Sequence, residues 1–337
     1  MDYKAELRKP EYDFLKTNPH LGNNIILIGL GGSHAYGMNT PTSDLDIRGI
    51  TIEKPENLIG YQPFEQVIDT ATDTTIYAFN KMVHLLTSNN PNTVEVLGLK
   101  PEHYLYLSPL GKELLEHKKW FLSQNCYYSF GGYAKAQLKR LENALARDNY
   151  PEERKNEHIS ISLESAISTF NQQHKTDINP AFAYVGDTGE LRYALDMDIS
   201  ANDLEEFYST VSNVTRTYKA LLHRNRKKDS AHLCKHAAHL YRLLCMCFDL
   251  LTKEDIITYR AEEHDLLMSI RNGEYMNEDG NMKQEFYDMV QDIEDRCKEA
   301  LEKTQLPKKP DIKKIENWII EVNKKIIDGE YKEEFQI

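Results

Sequence analysis

Asn24-Ile-Ile-Leu-Ile-Gly29-Leu-Gly-Gly-Ser33-His-Ala-Tyr-Gly37, followed by Thr40-Pro-Thr-Ser43-Asp44-Leu-Asp46, is where the reading of this chain begins. Asn24 to Gly29 is a short β-branched apolar run that ends in glycines, which predicts a buried strand. Gly31-Gly32-Ser33 supplies a turn whose backbone N–H groups can approach a phosphate chain, helped by a short helix opening at His34. The Ser33 hydroxyl adds a donor to a β- or γ-phosphate oxygen. Thr40 to Ser43 reads as a loop, and Asp44 to Ile52 alternates as a second strand. On a strand, Asp44 and Asp46 project from the same face. Two carboxylates so placed suit a pair of Mg²⁺ ions about 3.5–4 Å apart, with Mn²⁺ as a possible substitute.

Outward from that core, residues 1–20 are polar and read as a short helix and a loop. Glu65–Thr70 and Asp73–Phe79 read as further strands joined by a tight turn near Ala71-Thr72. Asn80–Leu86 has helical spacing, which Asn89-Asn-Pro-Asn92 breaks. From about residue 127 the pattern changes. Tyr133, Ala134, Leu138, Leu141, Ala144 and Leu145 recur at helical spacing, and similar periodicity appears at 156–171, 203–224, 231–251, 283–303 and 312–328. Residues 174–202, with Asn179-Pro180, Gly186 and Gly189, read as a loop or a small hairpin. The fold class is therefore α+β. A catalytic domain with a short mixed sheet is expected over 1–122, and a mostly helical domain for substrate or nucleotide over 123–337.

Composition narrows the function. At 337 residues the chain can bury a sizeable core. A net charge of −12 disfavours a protein whose main task is coating nucleic acid. The longest apolar stretch, Leu240–Leu251, is interrupted by Arg242 and Asp249 and is too short to span a bilayer. The start of the chain lacks the apolar run of a secretory signal. Cys126, Cys234, Cys245, Cys247 and Cys297 show no paired-ligand spacing, and Cys245-Met-Cys247 lies in an apolar helical run where packing is the expected role. A reducing cytoplasm fits this usage.

A glycine-serine turn alone, or an Asp-x-Asp alone, is a common structural feature. Together they resemble the signature of the DNA polymerase β nucleotidyltransferase superfamily. The fuller string, Gly32-Ser-His-Ala-Tyr-Gly37 with Ser43-Asp44-Leu-Asp46-Ile-Arg48-Gly49, resembles a narrower set, the predicted nucleotidyltransferases of bacteria and phages. Weaker matches are Asp73-Thr-Thr-Ile-Tyr77 with Lys81, Asn90-Pro91-Asn92 with Glu95, Lys235 to Leu244, Ile270-Arg271-Asn-Gly273-Glu and Leu306-Pro307. The resemblance implies a polymerase-β-like catalytic domain followed by a helical domain. It also implies transfer of a nucleoside monophosphate from an NTP to an acceptor, with release of pyrophosphate.

The metal-binding carboxylates expected on these grounds are Asp44, Asp46 and a third acid. Asp73 matches the family's acid before Ile-Tyr. Asp69, at the end of the preceding strand, is the alternative, and both also suit turns. Gly32 and Ser33 are expected at the phosphates. Arg48, two residues beyond Asp46, is placed to pair with the acids or to reach a phosphate, or is an ordinary surface arginine. His34 lines the pocket or merely sits in the loop. Lys81 contacts phosphate or lies on a solvated helix face. Lys235, His239 and Arg242, at i, i+4, i+7, share one helix face; they hold a polyanion or form a solvated stripe. Tyr133, Lys135, Gln137, Lys139 and Arg140 mix aromatic and basic residues in a way that suits RNA, although the neighbouring leucines suit packing. The acceptor is an RNA end such as tRNA, a protein side chain or a small molecule. The competing class is an inactive nucleotide-binding regulator or partner-binding protein, which retention of Ser33, Asp44 and Asp46 disfavours.

Overall fold

A computed structural model describes residues 2–149, 152–185, 191–223, 230–331 and 335. Five strands form a mixed sheet in the order β3-β4-β2-β1-β5. They are β1 (Ile25–Leu30), β2 (Ile47–Thr51), β3 (Gln66–Asp69), β4 (Thr74–Ala78) and β5 (Tyr104–Leu107). Antiparallel pairing joins β1 to both β2 and β5 and β3 to β4, whereas β2 and β4 run parallel. β1 is buried at every position, as the unbroken apolar run Ile25–Leu30 demands of a central strand covered on both faces. Its side chains join Leu15, Ile47, Ile76 and Leu105 in one core.

The strand carrying the acids begins later than the alternation suggests. β2 starts at Ile47, opposite Leu30, where β1 ends. Asp44 and Asp46 therefore lie in an irregular segment just before the strand and are not on its pleat. The hairpin β3–β4 and the helix after it, Phe79–Thr87, appear close to their expected bounds. β5, a four-residue strand between Pro101 and Pro109, was not expected.

The later helices are Asn125–Asn149, Glu152–His174, Leu204–His223, Ser230–Lys253, His264–Arg271, Gln284–Lys303 and Ile312–Ile327. The expected small hairpin is formed by β6 (Asn179–Val185) and β7 (Leu191–Asp196); Gly186 and Gly189 lie outside the described residues. The chain separates into two compact units. The first comprises 1–137, 238–272 and 284–337, and the second 138–237 with 273–283. The units divide the chain elsewhere than the change from α/β to helical pattern at residues 122/123. The second unit has its own core of Leu163, Ile167, Phe170, Ile178, Phe207 and Val214. No helix of the described residues is long and apolar enough to cross a membrane. All five cysteines are buried as free thiols, and burial pushes the Cys245 thiol up to about 12.

Candidate active site

The glycine-serine turn and the acid segment are built against each other. Gly31 donates its N–H to the Asp46 carbonyl at 2.8 Å, just where β1 gives way to the Gly32–Tyr36 helix. Gly32 takes φ +53°. A Cβ there would stand 1.7 Å from Asp46 Oδ2, and one on Gly31 would stand 2.9 Å from Arg48 Cγ. Only residues without side chains leave room for the Asp46 carboxylate and the Arg48 stem. The loop before Asp44 is closed by Thr40 N–H donating to Ser43 Oγ at 2.8 Å and Ser43 N–H donating to the Thr40 carbonyl at 3.0 Å. Asp44 follows it, exposed.

Register brings Asp73 to the same place. Ile47 of β2 pairs with Thr74 of β4, so the residues just before each strand, Asp46 and Asp73, stand side by side. Arg48 Nη2 lies 3.5 Å from Asp46 Oδ1 and 3.5 Å from Asp73 Oδ1. Arg48 Nη1 donates to the carbonyls of Asp73 at 2.7 Å and Ile47 at 2.9 Å. Asp73 has φ +46°, the left-handed region that acids of tight turns tolerate. The alternative acid, Asp69, has a different occupation: its Oδ2 accepts from Thr72 N–H at 2.9 Å and Thr72 Oγ1 at 2.8 Å, closing the hairpin turn.

Behind this cluster lies a buried group, Tyr36, Glu95 and Arg242, of which the sequence placed only Arg242 at the site, as a polyanion contact. Tyr36, three residues after Ser33, donates its hydroxyl to Glu95 Oε2 at 2.7 Å. Arg242 Nη1 lies 3.5 Å from the same oxygen, and its guanidinium stacks 3.5 Å over the Tyr36 ring. Burial raises the Glu95 carboxyl above its ordinary range, opposed by Arg242, the Tyr36 hydroxyl and Arg48. Burial likewise raises the Tyr36 phenol, against the pull of Arg242. The signal for Glu95 was present as an acid inside the apolar run Val94–Leu97. Arg242 itself is 1% exposed, so it is not part of a phosphate-facing or solvated stripe. His239 Nδ1 lies 3.1 Å from Arg242 Nη2. Lys235 is exposed in the second unit.

Three more residues fasten the far end of the glycine turn. Arg260 N–H donates to the Tyr36 carbonyl at 3.0 Å. The Tyr259 ring fills the space beside Gly37, where a Cβ would come within 2.4 Å. Arg271 Nη1 donates to the Met38 carbonyl at 2.6 Å, which gives Arg271 a role that its sequence context did not reveal. Lys81 pairs with Glu65 at 3.1 Å on the neighbouring hairpin. His34 is buried, its Nδ1 3.2 Å from the Tyr3 hydroxyl and its ring edge-on to the Tyr3 ring.

Residues 10–158 match RlaP, an RNA repair pathway DNA polymerase beta family. Over those residues the chain is similar to a DNA polymerase beta family. The polymerase-β-like region is less than half of the chain; it contains the glycine-serine turn, Asp44, Asp46, Arg48, Asp73 and Glu95, and ends before Lys235, His239 and Arg242. No curated protein and no solved structure matches the chain.

The acid set has the chemistry of a hard divalent cation's ligands, since carboxylate oxygens are what Mg²⁺ and Mn²⁺ prefer. Among the described residues, no three His, Cys, Asp or Glu groups are already drawn together to hold a metal ion. Asp46 and Asp73 instead share the Arg48 guanidinium.

Proposed function

We propose that the protein is a metal-dependent nucleotidyltransferase that transfers an NMP from an NTP to an RNA end and releases pyrophosphate. The observation that carries this reading is the seat of Asp46. Its carboxylate rests on Gly32 of the glycine-serine turn and shares Arg48 with Asp73, so the turn and two acids converge within a few ångströms. The RNA acceptor is taken from the matched family's description as an RNA repair family. The acidic net charge suits an RNA engaged locally, not one coated along its length.

Asp44, Asp46 and Asp73 would hold Mg²⁺. When bound, the metal supplies Lewis-acid polarisation of the phosphates and of the attacking hydroxyl. Backbone N–H groups of Gly32 and Ser33 and the Ser33 hydroxyl orient the triphosphate, while the Gly31 N–H holds the Asp46 carbonyl. A bond forms from the acceptor oxygen to the α-phosphorus, the bond to the bridging oxygen breaks, pyrophosphate leaves and the acceptor proton passes to solvent. The protein contributes position and charge, with no covalent enzyme intermediate. Tyr36, Glu95 and Arg242 hold the turn from behind.

The test is incubation with ATP, GTP, CTP and UTP labelled at the α-phosphate, Mg²⁺, and separate RNA, protein and metabolite fractions. Label is expected in nuclease-sensitive RNA, and lost in Asp44→Asn and Asp46→Asn. Label in protein or metabolites instead would move the acceptor. If no fraction is labelled, the transferase reading fails, and NTP binding without transfer would identify a regulatory module.

A further inference from the structure

We infer that Arg48 is a resident counter-cation of the acid cluster, and that loading the site moves one half of its guanidinium from Asp46 and Asp73 to the triphosphate. This deepens the proposed function and rests on it. The two halves of the guanidinium are held differently. Nη1 donates to two backbone carbonyls, Asp73 at 2.7 Å and Ile47 at 2.9 Å, distances of well-formed hydrogen bonds to groups that cannot leave, and also lies 3.5 Å from Asp73 Oδ1. Nη2 reaches Asp46 Oδ1 and Asp73 Oδ1 at 3.5 Å each, at the outer limit of such contacts. One end is pinned to the backbone and the other is exchangeable.

The cluster needs a cation. Asp46 and Asp73 bring two carboxylates to one guanidinium nitrogen, and like charges so close repel. Arg48 is the cation that meets both. A divalent ion offers the same oxygens twice the charge and a ligand type it prefers. Once the acids turn to it, Nη2 loses both partners in a place where its side chain is only 20% exposed. A half-buried guanidinium nitrogen left without an acceptor is costly. Its stem runs past Gly31, with Cγ 2.9 Å from where a Cβ would stand, so its free end lies beside the turn expected to hold the triphosphate. The planar fork, anchored at Nη1, then presents Nη2 to a phosphate oxygen. Arg48 thus offsets one of the two negative charges of Asp46 and Asp73 and becomes a phosphate contact once metal and triphosphate bind. Lys81 and Glu65 are paired with each other, and Arg242 is paired with Glu95.

The experiment uses the full chain and reads free Mn²⁺ by electron paramagnetic resonance, first without nucleotide and then with a non-hydrolysable α,β-methylene triphosphate. Arg48→Met and Arg48→Lys are compared with wild type, with folding checked by circular dichroism. Both variants are expected to bind Mn²⁺ alone at least threefold more tightly. The lysine keeps the charge but cannot satisfy two carbonyls and bridge two acids. Both are expected to bind the Mn²⁺-analogue complex at least tenfold more weakly. If Arg48→Lys matches wild type for Mn²⁺ alone, the effect is one of charge and the exchange is refuted. Tighter Mn²⁺ binding with unchanged analogue affinity also refutes it, because Arg48 would never reach the phosphates. In both cases the metal-dependent reading survives. Should no form bind Mn²⁺ with or without analogue, that reading fails as well.

Discussion

Asp46 Oδ2 occupies the space that a side chain on Gly32 would need, 1.7 Å from an ideal Cβ position. Gly32→Ala therefore displaces the acid or distorts the turn, and its φ of +53° adds strain of about 1–2 kcal/mol. Nucleotidyl transfer is expected to fall on the order of 10²-fold, as for an ångström-scale misplacement of a reacting group. Thermal melting and initial rates measured together check this. An active Gly32→Ala enzyme would mean that Asp46 need not rest there.

Asp69 and Asp73 are separable by experiment. Asp69→Ala removes two hydrogen bonds to Thr72 and is expected to cost about 1 kcal/mol of stability, with Mn²⁺ affinity unchanged. Asp73→Asn is expected to weaken Mn²⁺ binding at least about tenfold with little change in melting. Reversed results would make Asp69 the third metal acid.

Glu95 and Arg242 are a buried pair whose halves depend on each other. Removing either partner strands the other, at roughly 3 kcal/mol by precedent for such pairs. Glu95→Leu and Arg242→Met alone are each expected to destabilise strongly in denaturant titrations, and the double variant by clearly less than their sum. Strict additivity would show that the pair is not coupled.

His103 gives a pH dependence. Burial lowers its pKa below the ordinary value, so the unfolded chain binds the proton more tightly than the folded one. Its contribution is complete above about 6.5 and is lost as pH falls through the lower folded-state value. Melting temperature is expected to drop between pH 7.5 and 5.5, and less steeply in His103→Gln. His117 and His158 are lowered for the same reason, so part of the slope persists. Identical slopes in both proteins would remove His103 from the explanation.

Much of the frame is legible in local sequence. Apolar β-branched Ile25–Leu30 had to be a central strand, and the helical periodicities return as helices because each buries one face. What escaped depends on distant partners. β2 begins at Ile47 because its partner strand ends at Leu30, which no alternation from Asp44 reveals. β5 is only Tyr104–Leu107, and its partners lie near residue 28. Arg242 keeps the spacing of a basic stripe, and only the fold supplies Glu95 and Tyr36 to bury it. Arg271 looks like any helix-end arginine until Met38 is placed beside it.

The central claim is transfer of the α-phosphoryl group that depends on Asp44, Asp46 and Asp73. It is tested most directly by parallel reactions with α-labelled and γ-labelled NTP, Mg²⁺ and RNA. Label from the α-position in RNA, γ-label recovered as pyrophosphate, and loss of both in Asp46→Asn is the predicted result. Label from the γ-position in the acceptor, or transfer that persists in Asp46→Asn, would contradict it.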